Sequence, residues 1–288
     1  MSLLRSTLWG AVARNLGTVY LESTVTSGST STIVDTTALT GQYADDYLNN
    51  AWVAIITDAG GAHAAPEGES RRISDFVGST GTITVPTVFS ASPAAGDAYR
   101  VWSGVPKAEI LEAVSESLRA AWPSFYQRVY DTTTDIADDT YEYDIPATIE
   151  YLVDVEIQGD EDSTYYVPVK NWTVRKSGAS TRKLVLDHNQ TFTTDYDLRL
   201  IGIGPLDYPA NDYTAVTIEG EYEDALLQFV AAYGAALIED RLMHRDAGND
   251  RRHVHRYDTL MARARDAKKR AMPKPDPHVH VTLPEYWN

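Results

Sequence analysis

Residues 219–245 read EGEYEDALLQFVAAYGAALIEDRLMHR, and this stretch decides the fold. Its large apolar side chains recur at helical spacing, which predicts a helix with one buried stripe. The stripe consists of Tyr222, Leu226, Val230, Tyr233, Leu237 and Leu242. Alanine and glycine occupy much of the remaining surface between positions 225 and 236. Because such small side chains let neighbouring helices approach closely on more than one side, we expect this helix at the centre of a bundle.

A second helix is predicted directly after the first. The sequence Ala-Gly-Asn-Asp at 247–250 combines a helix stop with an N-cap, for which Asp250 is the expected residue. The helix over residues 251–272 then folds back as a hairpin. Its apolar positions place Val254, Tyr257, Met261 and Ala264 inward and leave its arginines and lysines facing outward.

The bundle gains a third helix from residues 106–122, PKAEILEAVSESLRAAW. Pro106 suits the first helical turn, and Pro123 ends the helix. A further short helix is expected over residues 124–130. The predicted core of the bundle comprises Leu111, Val114, Leu118, Leu226, Val230 and Tyr233.

Two regions have the pattern of β structure. Residues 19–103 and 132–214 both consist of short apolar runs separated by clusters of Gly, Ser, Asp and Pro. Runs of four to eight residues bounded by such turn formers predict strands. For the first region we expect a small sandwich or barrel. For the second we expect an acidic domain of four or five strands.

These elements predict an α+β protein: a helical-bundle core with a β-sandwich or barrel-like N-terminal module, a second inserted β region and an extended C-terminal tail. At 288 residues, the chain is long enough for two modules with separate cores. The expected segments are 1–18 (N-terminal part of the core), 19–103 (β module), 104–131 (core helices), 132–214 (inserted acidic β domain), 215–272 (core helical hairpin) and 273–288 (docking tail).

The last residues, 273–288, read PKPDPHVHVTLPEYWN, and their four prolines preclude a helix. An extended segment that ends in Tyr286 and Trp287 would gain main-chain hydrogen bonds and aromatic burial by docking on another chain. The expected anchors are Val279, Val281, Leu283, Tyr286 and Trp287. The alternative interpretation is a disordered terminus.

Basic charge is concentrated near one end of the chain. Residues 241–274 contain 11 of the 25 Lys and Arg residues and four acidic residues, net +7, whereas the rest of the chain is net −23. We expect the basic helix to dock on an acidic surface, including that of a second copy. Its candidate docking residues are Arg251, Arg252, Arg256, Arg263, Arg265, Lys268, Lys269 and Arg270. Nucleic acid is the alternative partner, but a chain of net charge −16 repels DNA at close range.

The sequence offers little support for a catalytic site. The chain has no cysteine, and the spacing of His244, His253, His255, His278 and His280 matches no metal site. Acidic clusters occur at 45–46, 138–139 and 160–162, where Gly and Thr neighbours favour turns over paired catalytic carboxylates. No phosphate-binding glycine loop or nucleophile motif is present. We therefore assign no catalytic, cofactor-binding or metal-binding residue and expect a protein that is not an enzyme.

The order of the segments resembles that of the head-to-tail adaptor (connector) proteins of tailed bacteriophages. The resemblance rests on the helix PKAEILEAVSESLRAAWPSFYQRV, an acidic β insertion, the helix EYEDALLQFVAAYGAALIEDRL, a second helix and an extended tail. The stretch from GSTSTIVDTTALTG to GDAYRV is similar to a β module that recurs in phage virion proteins. The resemblance covers most of the chain as a layout, without a signature motif. Simple adaptors are mostly the helical bundle alone, so both β regions would be additions.

The resemblance implies a structural protein of the virion neck, made in the host cytoplasm. It would form a ring, usually twelve-fold, beneath the portal, link the capsid to the tail and line the DNA conduit. The implied partners are other copies of the chain (a homo-oligomer, expected to be a dodecamer), the portal protein and tail or neck proteins. DNA would pass through without sequence-specific binding, and no cofactor or membrane partner is expected. Two alternatives stay open: a tail, tail-fibre or head-decoration protein whose β module binds a partner or a glycan, and a glycan-active enzyme.

Overall fold

The computed structural model of the protein describes residues 3–159, 165–177, 181–188, 196–245 and 250–272. Helices and antiparallel sheets both contribute, which confirms the predicted α+β class. The chain forms two compact units. The described part of the first unit runs to Ala121 and from Asp207 to Ala271. The second unit contains the described residues from Trp122 to Leu206, with Met272.

The first unit contains a helical bundle. Its helices are α1 (Arg5–Asn15), α2 (Lys107–Ala121), α3 (Glu223–Arg245) and α4 (Asp250–Lys268). Helix α3 contacts the other three, and α3 and α4 pack as the predicted hairpin. The small residues of α3 permit this central place. A Cβ atom on Gly234 would lie 2.9 Å from a methyl group of Val12 on α1 and 3.2 Å from the hydroxyl of Ser117 on α2.

The core of α2 and α3 differs in part from the predicted one. Val114, Leu118, Leu226 and Val230 are buried as predicted. Leu111 and Tyr233 are only partly buried, which corrects the prediction. The buried face of α2 consists of Lys107, Ile110, Ala113, Val114, Ser117, Leu118 and Ala121, and Leu111 lies at its edge.

The inward face of α4 is also displaced from the predicted one. Leu260, Ala264 and Ala267 are buried at helical spacing. Val254 was predicted to point inward, but it is 46% exposed. Residues seven apart lie on the same face of a helix, but Val254 is six residues before Leu260. It therefore lies outside the buried face.

Eight short strands between residues 19 and 102 form the β module. They are β1 (Val19–Thr24), β2 (Ser27–Ser29), β3 (Thr32–Val34), β4 (Trp52–Thr57), β5 (Ser70–Arg72), β6 (Asp75–Val77), β7 (Thr82–Thr84) and β8 (Ala98–Trp102). One sheet has the order β1-β8-β4-β5 and the other β2-β3-β7-β6, with antiparallel neighbours. Side chains from both sheets, including Ile33, Val53, Phe76 and Val101, meet in one core, as the sandwich prediction requires.

The β module shares buried contacts with the helices. Trp9 of α1 packs against Trp102 of β8, with the ring centroids 5.3 Å apart. The buried Arg100 lies over the Trp9 ring, 4.1 Å from its centroid, and donates to the Glu22 carboxylate at 2.8 Å. A Cβ atom on Gly10 would collide with this guanidinium. The predicted boundary at residue 103 therefore falls inside one compact unit.

The second unit is a β domain. Its strands are β9 (Gln127–Asp135), β10 (Glu142–Asp144), β11 (Tyr151–Gln158), β12 (Tyr166–Pro168), β13 (Thr173–Ser177), β14 (Thr181–Val185) and β15 (Asp197–Gly204). They form sheets of order β12-β11-β15-β9 and β10-β14-β13. Seven strands within the described residues correct the prediction of four or five. The two additional strands are β9, which overlaps the predicted short helix, and β13, whose sequence TVRKS has a single apolar side chain and gives no periodic signal.

The short helix predicted over residues 124–130 is replaced by the start of β9. This strand pairs antiparallel with β15 from Gln127 onward, and buried and exposed residues alternate along most of it. Three threonines in the segment QRVYDTTTD favour a strand over a helix. The predicted segment 104–131 therefore contains one helix, α2, and its last ten residues belong to the second unit.

Several predicted features lie outside the described residues: the tail at 273–288, the acidic cluster at 160–162 and the helix stop at 247–249. Within the described ranges, no helix combines the length and the apolar character needed to cross a membrane.

Candidate functional site

Helix α4 is fixed to its neighbours by a buried carboxylate. Glu239 of α3 has a side chain only 1% exposed. One of its oxygens lies 2.6 Å from Nδ1 of His253, and the other lies 3.0 Å from a guanidinium nitrogen of Arg256. Arg256 also donates to the carbonyl oxygens of Asn15 and Leu16 at the end of α1. These contacts hold α4 against both α1 and α3.

Two of the predicted docking residues therefore have structural roles instead. Arg256 ties three helices together, and Lys268 donates to the carbonyl oxygen of Ala120 at 3.1 Å. Burial lowers the pKa of Lys268. Both were predicted to face outward. Their long side chains cross helix–helix contacts to reach backbone carbonyl groups, while the side chain of Arg256 is still 41% exposed. The side chains of Arg251 and Arg252 lie outside the described part of the chain.

Four predicted docking residues are exposed on α4: Arg263, Arg265, Lys269 and Arg270. Lys269 lies 2.6 Å from Asp266, and both side chains are more than 70% exposed. The hydrogen bond from Lys269 lowers the pKa of Asp266. An ion pair this exposed contributes little to stability, so it leaves the lysine available to a partner.

A groove of about 440 Å³ lies between α1, α3 and α4. Its floor is built from Ala11, Leu227, Ala231 and Ala232. Its rim carries the polar residues Arg14, Asn15, Gln228, Arg263, Asp266 and Arg270. The rim therefore contains three guanidinium groups and one carboxylate.

Helical spacing explains how the sequence builds this groove. Arg263, Asp266 and Arg270 follow one another at intervals of three and four residues, which places them along one side of α4. The alanines of α1 and α3 leave room where larger side chains would fill the space between the helices. Arg14 is held at the rim by Glu22, whose two oxygens accept from it at 3.1 Å. Sequence reasoning found the basic residues of α4 but missed Arg14, because only the fold brings α1 beside α4.

Glu22 links this rim to the β module. Burial alone would raise the pKa of its carboxyl group, but the guanidinium groups of Arg100 and Arg14 outweigh that effect and lower the pKa. The carboxylate therefore stays ionised and orients Arg14. The groove as a whole can receive an apolar or aromatic group on its floor and a carboxylate at its rim.

The rest of the chain supplies acidic surface. Residues 122–206 contain 15 acidic and seven basic residues. Asp135, Asp138 and Asp139 are exposed in and after β9. The basic face of α4 and the acidic surface of the second unit are thus two surfaces of opposite charge on one chain.

The acidic pairs within the described residues have turn geometry. Asp45 accepts from the backbone N–H of Gly78 at 2.7 Å, and Asp46 accepts from the Asn49 amide at 2.7 Å with φ of 64°. Asp139 has φ of 53°. These positions fit the turn interpretation made from the sequence.

Within the described ranges, no group of three or more His, Asp or Glu residues is arranged to hold a metal ion. His244 lies beside the Asp240 carbonyl oxygen at 2.8 Å, and His255 is exposed. His278 and His280 lie outside the described residues, as do the predicted tail anchors Val279, Val281, Leu283, Tyr286 and Trp287.

No known protein family, curated protein or solved structure matches this chain. Its function is therefore argued from its own surfaces. The strongest candidate for a binding site is the groove between α1, α3 and α4, together with the basic face of α4 beside it.

Proposed function

We propose that this chain is a structural protein of a tailed-phage virion and not an enzyme. In this proposal it acts as a head-to-tail adaptor in the neck, where copies of it form a closed ring beneath the portal protein. The ring links the capsid to tail or neck proteins and surrounds the DNA conduit. The twelve-fold number and the portal partner come from the resemblance of the segment order to phage adaptors.

One observation carries the self-association part of the proposal. The exposed arginines and lysines of α4 stand on a chain of net charge −16, so each copy has two faces of opposite charge. A ring requires such a heterologous interface, in which one face of a copy binds a different face of the next. Opposite charges speed and orient this kind of encounter.

The overall charge also suits a DNA conduit. A protein that grips DNA neutralises phosphates with a basic surface, and its binding depends strongly on salt. A ring built from acidic chains would repel the phosphate backbone and let DNA pass. Weak, salt-insensitive DNA binding is therefore expected of the assembled protein.

Charge reversal on α4 tests the proposed interface. The variant Arg263→Glu/Arg265→Glu/Lys269→Glu changes three exposed residues that make few internal contacts. A matched control, Arg72→Glu/Arg119→Glu/Lys176→Glu, makes the same change in net charge at exposed sites elsewhere. Sedimentation velocity at about 0.05 M and about 0.5 M NaCl should show weaker association of the α4 variant, with the larger loss at low salt because screening blunts exposed charge pairs.

Equal association of the α4 variant and the wild type would contradict this interface, and so would an equal loss in the control. Deleting residues 273–288 provides a second test. The monomer should keep its thermal stability, whereas incorporation into particles should fail. Normal incorporation of the truncated chain would remove the docking role of the tail.

One further observation favours a second candidate, a tail-fibre or decoration protein whose β module binds a partner or a glycan. The rings of Tyr43 and Tyr47 stack with their centroids 5.2 Å apart, and the ring centroid of Tyr20 lies 5.8 Å from that of Tyr47. Tyr20 and Tyr47 are 41% and 54% exposed. Exposed aromatic rings are common anchors of binding surfaces. A trimer in solution would favour this candidate, whereas a ring favours the adaptor.

A further inference from the structure

The groove between α1, α3 and α4 is specific in what it can accept. Its alanine and leucine floor is apolar, and Arg14, Arg263 and Arg270 surround it. Its volume of about 440 Å³ falls within the range of ligand pockets. An occupant that combines an aromatic ring with a carboxylate would satisfy both the floor and the rim.

The chain contains such a segment. Residues 283–287 read LPEYW, so Glu285 directly precedes Tyr286 and Trp287. Glu285 can pair with rim arginines, and arginine also stacks on aromatic faces. The combination matches the groove in both charge and apolar character.

We propose that residues 283–287 of one copy dock in the groove of a second copy. This inference rests on the proposed self-association and names the contact that would make it. The aromatic residues cover the floor formed by Ala231 and Leu227, and Glu285 binds the guanidinium groups of Arg263 and Arg270. Each copy then supplies a groove and a tail, two different surfaces that bind each other, as the heterologous interface of a closed ring requires.

The tail is long enough for this contact. Sixteen residues follow Met272. A chain of that length can span at most roughly 50 Å when extended, at 3.3–3.6 Å per residue. An anchor on a segment of this length can extend beyond its own helix to a neighbouring copy.

The absence of cysteine from the chain permits a direct test by disulfide trapping. Two single-cysteine variants of the full chain are needed. Asp266→Cys places a thiol at the rim, where the native side chain is 71% exposed. Asn288→Cys places one beside the tail anchor and leaves Tyr286 and Trp287 intact. One variant carries an extra tag, so that mixed dimers are distinguished from homodimers by mass after oxidation.

Mixing the two variants should give a mixed disulfide dimer. Docking raises the local concentration of the two thiols towards the millimolar range, on the order of 1,000-fold above that of free chains at micromolar protein. The matched control replaces Asp266→Cys with Asp258→Cys, an exposed position on the same helix that does not line the groove. Its mixed dimer should form only at the rate of random collision.

Charge variants test the assigned contacts in the same assay. Arg263→Glu/Arg270→Glu should lower the yield of the mixed dimer, and Glu285→Arg in the tail partner should restore it. Arg72→Glu/Arg119→Glu makes the same change in charge at exposed sites outside the groove and should leave the yield unchanged. A groove double variant with an undiminished yield would overturn the contact.

The outcomes separate this inference from the proposed function. If the chain self-associates in sedimentation but the mixed dimer forms no faster than the control, the groove is not the tail receptor and the inference falls alone. If a chain with both cysteines forms only an intramolecular disulfide, the tail occupies its own groove and docking on a second copy is excluded. If the chain stays monomeric at every concentration, the proposed function fails and the inference fails with it.

Discussion

Asp212 holds two cations in the interior of the first unit. Its carboxylate lies 2.9 Å from Nε of Arg5 and 2.5 Å from Nζ of Lys107. Lys107 also donates to the carbonyl oxygen of Gly68 at 2.6 Å and is 4% exposed. Burial lowers the pKa of Lys107, and Asp212 opposes that shift by stabilising the ammonium group. This residue therefore joins α1, α2 and the β module at one point.

Removing the carboxylate charge should be costly. We expect Asp212→Asn to lower the free energy of unfolding by about 3–5 kcal/mol, because it leaves buried cations uncompensated. Urea unfolding followed by circular dichroism measures this loss. The double variant Asp212→Asn/Lys107→Met should lose less than Asp212→Asn alone, since it removes one stranded charge. Additive losses would contradict the pairing.

Acid sensitivity should trace to Asp35 in the β module. Burial alone would raise the pKa of its carboxyl group, but hydrogen bonds from Ser23, Tyr99 and the N–H groups of Ala38 and Thr37 lower the pKa overall. A carboxyl group whose pKa is lowered by folding stabilises the native state above its unfolded pKa, near 4, and loses that contribution as the pH falls through the folded pKa.

The variant Asp35→Asn cannot ionise and keeps one acceptor oxygen, which can still accept from the N–H groups of Thr37 and Ala38. As the pH falls below the unfolded pKa of about 4, wild-type protein should lose stability more steeply than Asp35→Asn does. Urea unfolding midpoints measured at a series of pH values from neutral to acidic give the difference. Parallel pH profiles for the two proteins would show that Asp35 is not the group responsible.

At the scale of elements, the packing of the bundle predicts which leucines are required for folding. Leu226 on α3 is 0% exposed, whereas Leu111 on α2 is only partly buried. Leu226→Asp should prevent folding, because an unpaired buried charge costs several kcal/mol. Leu111→Asp introduces the same charge at the edge of the core and should remain folded. The helical circular dichroism signal and the solubility of the two variants measure this difference. A folded Leu226→Asp variant would contradict the assigned core.

The β module and the helices should unfold together. The sequence predicted a separate β module over residues 19–103, but Trp9 of α1 and Arg100 of β8 pack against each other in the buried interior. Deleting residues 19–102 would expose Trp9 and leave the side chains around it without packing partners. We expect one transition for the first unit when unfolding is followed by both tryptophan fluorescence and far-ultraviolet circular dichroism. Separate transitions for helical and β signals would contradict this coupling.

The helices could be predicted from the sequence more fully than the strands. Apolar periodicity and alanine content gave α3, and Pro106 with the stripe of Ile110, Val114 and Leu118 gave α2. Strand β9 was predicted as a short helix because its register depends on a partner, β15, about 70 residues away. Local patterns carry no information about such distant pairing.

At the scale of the whole molecule, the charge asymmetry could be read from the sequence, but its use could not. Arg256 and Lys268 serve internal contacts, while Arg263 and Arg270 border a groove that also needs Arg14 from α1. Spacing along one helix distinguishes its faces but does not show which face a second helix covers. The groove therefore became visible only in the fold.

Imaging of the purified full chain at increasing concentration, with mass measured in parallel, tests the central claim most directly. The account predicts closed rings of roughly a dozen copies joined by a heterologous interface, with α4 at the contact between subunits. The rings should open or fail to form when Arg263, Arg265 and Lys269 are reversed to glutamate. A chain that remains monomeric, or that forms only a trimer, would contradict the adaptor assignment.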